Sequence, residues 1–569
     1  MQSVARKPNV LWISFEDCLP LYGCYGDKIA RTPAVDRLAL EGCIYPNAFS
    51  TAPICAPARA AVITGMYPTS IGAHHMRTTR GKAYDAPVPH YAKCLGEYFR
   101  GEGYYCTNNV KTDYQFEPPF AAWDDCSNTA HWRNRPDPAT PFFAVFNPEY
   151  THESGMWEEQ RTWPFNYIVP SLKETTDPDS VEVPPYFPDT PRVRSSIARN
   201  YDNMALCDQV MEALLGQLEE DGLADNTIVV HWSDHGPMPR GKRHPYDQGI
   251  HSPMIIRWPG VVEPGTTSDR LVSTVDLGPT MLSACGITVP PHMQGRAFLG
   301  AQTAPEREYV HASVDRSDAD NDMVRAVRDR TYKYIKNCFP EKPYLLWNAF
   351  RNRHPIMQEW YRCWMEGTLN ETQSIMFAEK RPVEELYDTR TDPWEVHNLA
   401  EDDRYQEVLD RMREELDTWQ EETRDLGLLD EKVMKSIHYP DGDKPVCTEA
   451  RCLVFSADSY GEERAPDAFS LPRRHRLQLF SPTQGCSICF TLDQGDQRLH
   501  GSTPPATGEE PALPHASAVL EAPPAEGSWE LYKAPICLPA GSHRLRTVVS
   551  RIGYHDSLET TFEITVIQE

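Results

Sequence analysis

The chain's 569 residues, 40% hydrophobic and 24% charged, are those of an ordinary globular protein with roughly two or three packing units. A formal net charge of −26 excludes general nucleic-acid binding, which needs a basic face, so any anionic ligand must be held by a local basic cluster. No apolar run is long enough to span a bilayer. The opening MQSVARKPNVLWIS carries two positive charges but enters a strand-like run with no small-residue cleavage site. As written, that start is expected of a cytoplasmic protein; removal of an export signal would make it periplasmic or secreted.

In chain order, NVLWIS reads as a buried strand, TPAVDRLALEG as an amphipathic helix ending at glycine, and CIYPNAFS as an extended stretch. A helix is predicted from Pro57 to Gly65 and another from about Tyr91 to Arg100, followed by the strands GYYCTNNV and PFFAVFNPEY. A proline-rich excursion runs to about Pro191. A long helix follows from about Val193 to Glu220, with Ile197, Tyr201, Met204, Val210, Leu214 and Leu218 at near-helical spacing. TIVVHWSDHG and MIIRWPG are strands, and VSTVDLGPTMLSACG a further strand and helix. Such alternation predicts an α/β fold, a large and mostly parallel sheet flanked by helices over residues 1–305, with ligands at the carboxyl ends of its strands.

From 306 to 435 the pattern changes to a small α+β subdomain, with YVHASVD and MVRAVRDRTYKYIKN as antiparallel strands and a charged helix from about Asp403 to Leu426. Residues 436–446 read as a linker, and 447–569 as a C-terminal β-sandwich built from short strands such as HRLQLFS and HRLRTVVSR. Within it GSTPPATGEEPALP is a proline-rich loop. The 16 cysteines are scattered, and the lone CxxC of Cys486 and Cys489 reads as buried thiols or a local disulfide rather than zinc ligands.

Three local patterns carry chemistry. In CAPARAAVITG, residues 55–65, Pro57 suits a first helical turn, which puts Cys55 at a helix N-terminus where the dipole favours negative charge; Arg59 follows one turn later. Taken alone, this is a buried cysteine beside a helix cap. Glu16 and Asp17 end the first strand, and Asp234 and His235 end WSDHG. Either pair alone reads as a solvated loop. Two pairs capping apolar parallel strands can instead converge on one hard cation. PRGKRHPYDQG, residues 239–249, adds Lys242, which alone would be part of an exposed basic loop.

The pattern C-x-P-x-R-x-x-x-x-T-G resembles the signature of the formylglycine-dependent sulfatases of the alkaline-phosphatase superfamily, and it is similar to the sequence recognised by the enzyme that oxidises this cysteine to an aldehyde. The resemblance extends over residues 8 to about 430. It implies a divalent cation, Ca²⁺ or alternatively Mg²⁺, on Glu16, Asp17, Cys55, Asp234 and His235, with Glu16 and His235 standing where the family usually has Asp and Asn. It implies catalytic roles for Cys55, Arg59, Lys111, His152 and Lys242. The family's usual histidine two residues after the lysine is Asp113 here, so Asp113, His74 or His75 is expected to replace it at the substrate. SFED, CAPAR, KTDY and THES together are similar to bacterial polysaccharide sulfatases and relatives of heparan N-sulfatases, and the last segment resembles the fibronectin-like module of chitobiases.

The resemblance thus implies hydrolysis of sulfate esters of a sulfated carbohydrate. One hydroxyl of the hydrated aldehyde attacks sulfur, His152 protonates the leaving alcohol, and the second hydroxyl expels sulfate. The implied partners are that substrate and a maturation enzyme. Two other readings compete: a phosphate or phosphonate ester hydrolase on the same scaffold, and an inactive protein that binds sulfated glycans.

Overall fold

The computed structural model describes residues 6–76, 86, 88–157, 168, 170–317, 321–456, 459–494 and 529–568. The proline-rich loop expected at 501–514 lies outside them, as do residues 158–167 of the earlier excursion.

An eight-stranded sheet forms the centre, in the order Asp125–Cys126, Tyr105–Asn109, Phe142–Phe146, Asn9–Phe15, Thr227–Ser233, Met254–Arg257, Cys43–Ile44 and Thr266–Thr267. The first five are mutually parallel; Met254–Arg257 runs antiparallel to both of its neighbours. Side chains alternate across the sheet, as strand geometry demands. Leu11, Ile13 and Phe15 join the core beneath the helices Pro33–Glu41 and Pro191–Glu220. Val10 and Trp12 join the core on the opposite face, under Cys55–Thr64, Leu95–Gly101 and Leu277–Ala284. Both faces are covered, so the strands read as continuous apolar runs. The expected α/β layering is what the structure has.

Details differ from the sequence reading. The helix expected from Pro57 begins at Cys55, so residue 55 is its first helical residue rather than its cap. The helix expected from Tyr91 begins only at Leu95, where Glu97 turns back to accept from the Cys94 N–H at 2.8 Å. Between 338 and 383, where the sequence carries no predicted element, Pro355–Met365 forms a helix capped by His354.

Val310–Val314, Val324–Arg328, Tyr332–Asn337 and Glu384–Asp388 form an antiparallel sheet against the helix Gln406–Thr423. Beyond it the helix Glu431–His438 runs into the stretch expected as a linker. A three-stranded and a five-stranded sheet follow, spanning Arg451 to Ile567. Cys452, Val454, Leu477 and Leu479 of the first share one core with Leu545, Val549, Phe562 and Ile564 of the second, which makes the pair a sandwich. This sandwich is hydrogen-bonded to the Leu95–Gly101 helix: Ser487 Oγ donates to Glu97 at 2.6 Å and Arg100 donates to the Trp529 carbonyl at 2.9 Å.

Arg325, fully buried in the four-stranded sheet, is held by two carboxylates. Its guanidinium donates to Asp315 at 3.0 Å and to Asp425 at 2.6 and 2.9 Å, tying that sheet to the turn after Gln406–Thr423. Removing one partner of a buried ionic group leaves the others uncompensated. Arg325→Ala is therefore expected to cost about 3–5 kcal/mol, read as a lower thermal midpoint of the full chain; an unchanged midpoint would show that the two carboxylates do not need this partner.

Candidate active site

Four adjacent parallel strands deliver the site at their carboxyl ends. Asn9–Phe15 leads into Glu16 and Asp17, Thr227–Ser233 into Asp234 and His235, Tyr105–Asn109 into Lys111, and Phe142–Phe146 into Asn147 and, further along the same loop, His152. The two central turns are locked to each other. The Asp17 N–H donates to Asp234 Oδ1 at 3.1 Å, and the Cys18 N–H to Ser233 Oγ at 2.9 Å. Asp17 adopts φ 46°, Asp113 φ 52° and Arg243 φ 78°, so left-handed backbone gathers at this site, as strain tends to at functional sites. Gly241 is required by close approach: a Cβ there would lie 2.2 Å from the Gln248 carbonyl oxygen.

Cys55, a buried free thiol, faces this group. Its Sγ is 3.2 Å from His235 Nε2 and 4.0 Å from Asp17 Oδ1. Burial pushes the thiol's pKa up, with Lys242 and Lys111 pulling the other way. One ligand atom from each of Asp17, Cys55, Asp234 and His235 lies within 4.8 Å of the others. These donors fit a divalent cation. Asp234 Oδ2 is buried without a hydrogen-bond partner. His235 Nδ1 meets the Gly236 carbonyl at 2.9 Å, and a carbonyl only accepts, so the ring proton sits there and Nε2 keeps its lone pair. Burial holds that imidazole below its usual pKa, against the pull of Asp234 and Asp17, and so favours the neutral, ligating form.

Cations surround the quartet. Lys242 Nζ donates to both oxygens of Asp17, at 2.7 and 3.0 Å. Lys111 Nζ donates to Glu16 at 2.6 Å and lies 3.9 Å from Asp113. Arg59 donates to Glu16 and to Asn147 at 3.0 Å, and its Nε lies 3.4 Å from Asp234. Glu16 is therefore not one of the quartet: its carboxylate spans Arg59 and Lys111, and it forms a second group with Cys55 and His152, again within 4.8 Å. His152 Nδ1 lies 2.9 Å from Ser154 Oγ and accepts from the Ser154 N–H at 3.4 Å.

Sequence reasoning missed Glu153 and Arg243, although each adjoins an expected residue. The Glu153 N–H donates to Asp17 Oδ2 at 2.6 Å. Its buried carboxylate accepts two bonds from Arg243, at 3.0 and 2.9 Å, and lies 3.5 Å from Lys242 Nζ. Burial alone would raise this carboxyl; Arg243 and Lys242 outweigh it and hold the pKa at about 2. Asn147 and Ser14, whose Oγ donates to Asn147 at 2.6 Å, were also missed, because hydrogen bonding at strand ends leaves no local signature. Of the residues expected to replace the missing histidine, Asp113 is tied to the group through Lys111. His74 and His75 are set instead against the charges Arg325, Asp425, Asp315 and Glu431, with rings 4.2 Å apart. Burial lowers their pKa values to about 4 and about 3.

Comparison with known proteins agrees with this geometry. The sequence profile described as Sulfatase matches residues 8–287, and that described as N-sulphoglucosamine sulphohydrolase, C-terminal, matches residues 235–351. An ulvan-active sulfatase of Formosa agariphila is 37% identical, over 97% of this chain and 90% of its own length. Among solved structures, a 2-O GAG sulfatase superposes with a TM-score of 0.53 at 21% identity, covering 74% of this chain and 93% of that one. A phosphonate monoester hydrolase from Silicibacter pomeroyi superposes with a TM-score of 0.52 at 18% identity, covering 74% and 96%. These two structures share the fold; it is the near-full-length similarity at 37% identity, with Arg59 and Lys242 beside the buried quartet Asp17, Cys55, Asp234 and His235, that carries the assignment. The chain belongs to the sulfatase family, the sulfuric ester hydrolases.

Proposed function

We propose that the chain hydrolyses sulfate esters of a sulfated polysaccharide, with residue 55 as the nucleophile once its thiol has been converted to an aldehyde. The observation that carries this reading is the convergence of Cys55 with Asp17, Asp234 and His235 within 4.8 Å, under the cations Lys242, Lys111 and Arg59. In its hydrated form the aldehyde supplies one hydroxyl for attack on sulfur and a second through which sulfate leaves. A divalent cation on Asp17, Asp234 and His235, Ca²⁺ by resemblance and Mg²⁺ as the alternative, supplies a Lewis acid beside that nucleophile. Glu16 would complete the expected ligand set by giving up Arg59 or Lys111.

The chain's own side chains do the remaining work. Arg59, Lys111 and Lys242 balance the charge that grows on the sulfuryl oxygens, and burial makes each worth more there than in water. Burial would lower the pKa of Lys242, and Asp17, Cys55 and Glu153 reverse that and keep its ammonium charged. His152 is the proposed general acid: Ser154 holds its Nδ1 side, and Nε2 gives the departing alcohol its proton. Asp113 beside Lys111 occupies the place of the family's usual second base. A polysaccharide substrate is supported by the ulvan-active relative. The fold is shared with a phosphonate monoester hydrolase, so a direct comparison decides the reaction. Aryl sulfate should be turned over faster than aryl phosphate; a preference for phosphate above about tenfold, about 1.4 kcal/mol in barrier, overturns the reading.

Three further outcomes are expected. Co-expression with a maturation enzyme should lower the mass of the peptide containing residue 55 by about 18 Da, the thiol-to-aldehyde change; an unmodified thiol would favour an inactive glycan-binding protein. Lys242→Ala should reduce kcat/KM at least about 100-fold, whereas Lys336→Ala, at a half-exposed lysine paired with Asp417 of the Gln406–Thr423 helix, should leave it within about twofold. Glu153→Gln keeps the shape but removes the charge opposing Arg243 and Lys242, and should cost about tenfold or more in kcat/KM. Wild-type rates in Lys242→Ala or Glu153→Gln would show that the sulfate does not bind here.

A further inference from the structure

A series of side chains that the reaction does not use runs outward from His152. The Phe350 ring is 5.9 Å from the His152 ring, Trp157 meets Phe350 edge-on at 4.9 Å, and the Arg353 guanidinium lies 5.3 Å over Trp157. Phe350 and Trp157 are half-buried and Arg353 is exposed, so the series runs from the catalytic histidine outward to solvent. Aromatic side chains partly open to water, followed by an exposed cation, have no role in the core.

This wall of side chains is held rigidly. Asn348 is buried and caps the turn, its Oδ1 accepting from the Arg351 N–H at 2.8 Å. Arg351 is buried in turn and donates back to the Leu346 carbonyl. His354 packs against Trp157 at 6.4 Å, and its Nδ1 accepts from the Ile356 N–H at 3.1 Å, starting the helix Pro355–Met365. A platform fixed in this way loses little freedom when a ligand lies on it.

We propose that this wall is the glycan subsite: the ring of the sulfated sugar stacks on Phe350, and an acidic neighbouring sugar lies along Trp157 with its carboxylate on Arg353. The inference rests on the sulfatase reading above. In that reaction the leaving group is the sugar's own oxygen, and His152 protonates it, so the sugar stands beside His152. A ring there is within stacking distance of Phe350. The apolar C–H face of a pyranose suits an aromatic surface, and the guanidinium selects an anion at the next position. In a protein of net charge −26, the exposed Arg353 makes that selection local.

The test uses the full, matured chain with three substrates: 4-nitrophenyl sulfate, a sulfated oligosaccharide with a uronate beside the sulfated sugar, and its carboxyl-reduced counterpart. Phe350→Ala and the better-packed Phe350→Leu should raise KM for the oligosaccharide about three- to tenfold more than for the aryl sulfate, with Phe350→Tyr restoring it. Arg353→Gln should raise KM about three- to tenfold for the uronate substrate and not for the carboxyl-reduced one. Trp364→Ala, an exposed aromatic stacked on Phe377, should leave KM at the wild-type value. Equal losses on all substrates would make Phe350 and Arg353 structural and overturn the subsite, as would wild-type KM in both variants while the wild type cleaves the oligosaccharide. A wild-type enzyme that cleaves aryl sulfate but no glycan sulfate would overturn the polysaccharide reading itself, and the subsite with it.

Discussion

Asp17 accepts from Lys242 through both carboxylate oxygens and from the Glu153 N–H, while its own N–H donates to Asp234. Strand ends, the loop carrying His152 and Glu153 and the loop carrying Lys242 are joined through this one buried carboxylate. Such a group is costly to bury alone, and each of its partners is itself buried and charged or part of the backbone. The site therefore stands or falls as a network: Glu153 holds Arg243 and Lys242, and Glu16 holds Arg59 and Lys111.

That network balances opposing charges, with Arg59, Lys111, Lys242 and Arg243 facing Glu16, Asp17, Glu153 and Asp234. A sulfate ester entering such a pocket brings negative charge and a cation brings positive charge, so the two favour each other's binding. The balance explains how a strongly acidic chain retains an anion. Its surface charge acts at long range and is screened within about a Debye length, roughly 8–10 Å at physiological salt. The pocket's cations act at contact distance in a low-dielectric interior, where each is worth more.

The parallel sheet makes this arrangement possible, because four neighbouring strands point their carboxyl ends the same way. The remaining parts support it from outside. The four-stranded sheet brings Arg325 and its two carboxylates against the His74 and His75 rings, and the C-terminal sandwich is pinned to the Leu95–Gly101 helix through Glu97 and Arg100. The wall at Phe350 comes from yet another segment, capped by His354.

Much of this was legible in the chain alone. Continuous apolar runs bounded by turns and 3.6-residue stripes specify the α/β layering, since they mark strands covered on both faces and helices with one buried face. The Cys55 motif, the acidic pairs at two strand ends and Lys242 are local patterns, and local patterns survive in sequence. What only the tertiary structure decided is how those patterns meet. Glu153 and Arg243 became part of the site because a loop after one strand reaches a loop after another, and Glu16 was drawn to Arg59 and Lys111 rather than to the quartet of candidate ligands. His74 and His75, adjacent to the motif helix in sequence, face the charges of the small sheet instead. The aromatic wall joins residues 152 and 157 to residues 350 and 353, nearly 200 positions apart. Sequence records the preference of each segment for helix, strand or turn; which buried charge finds which partner is settled only when all the strands have closed around them.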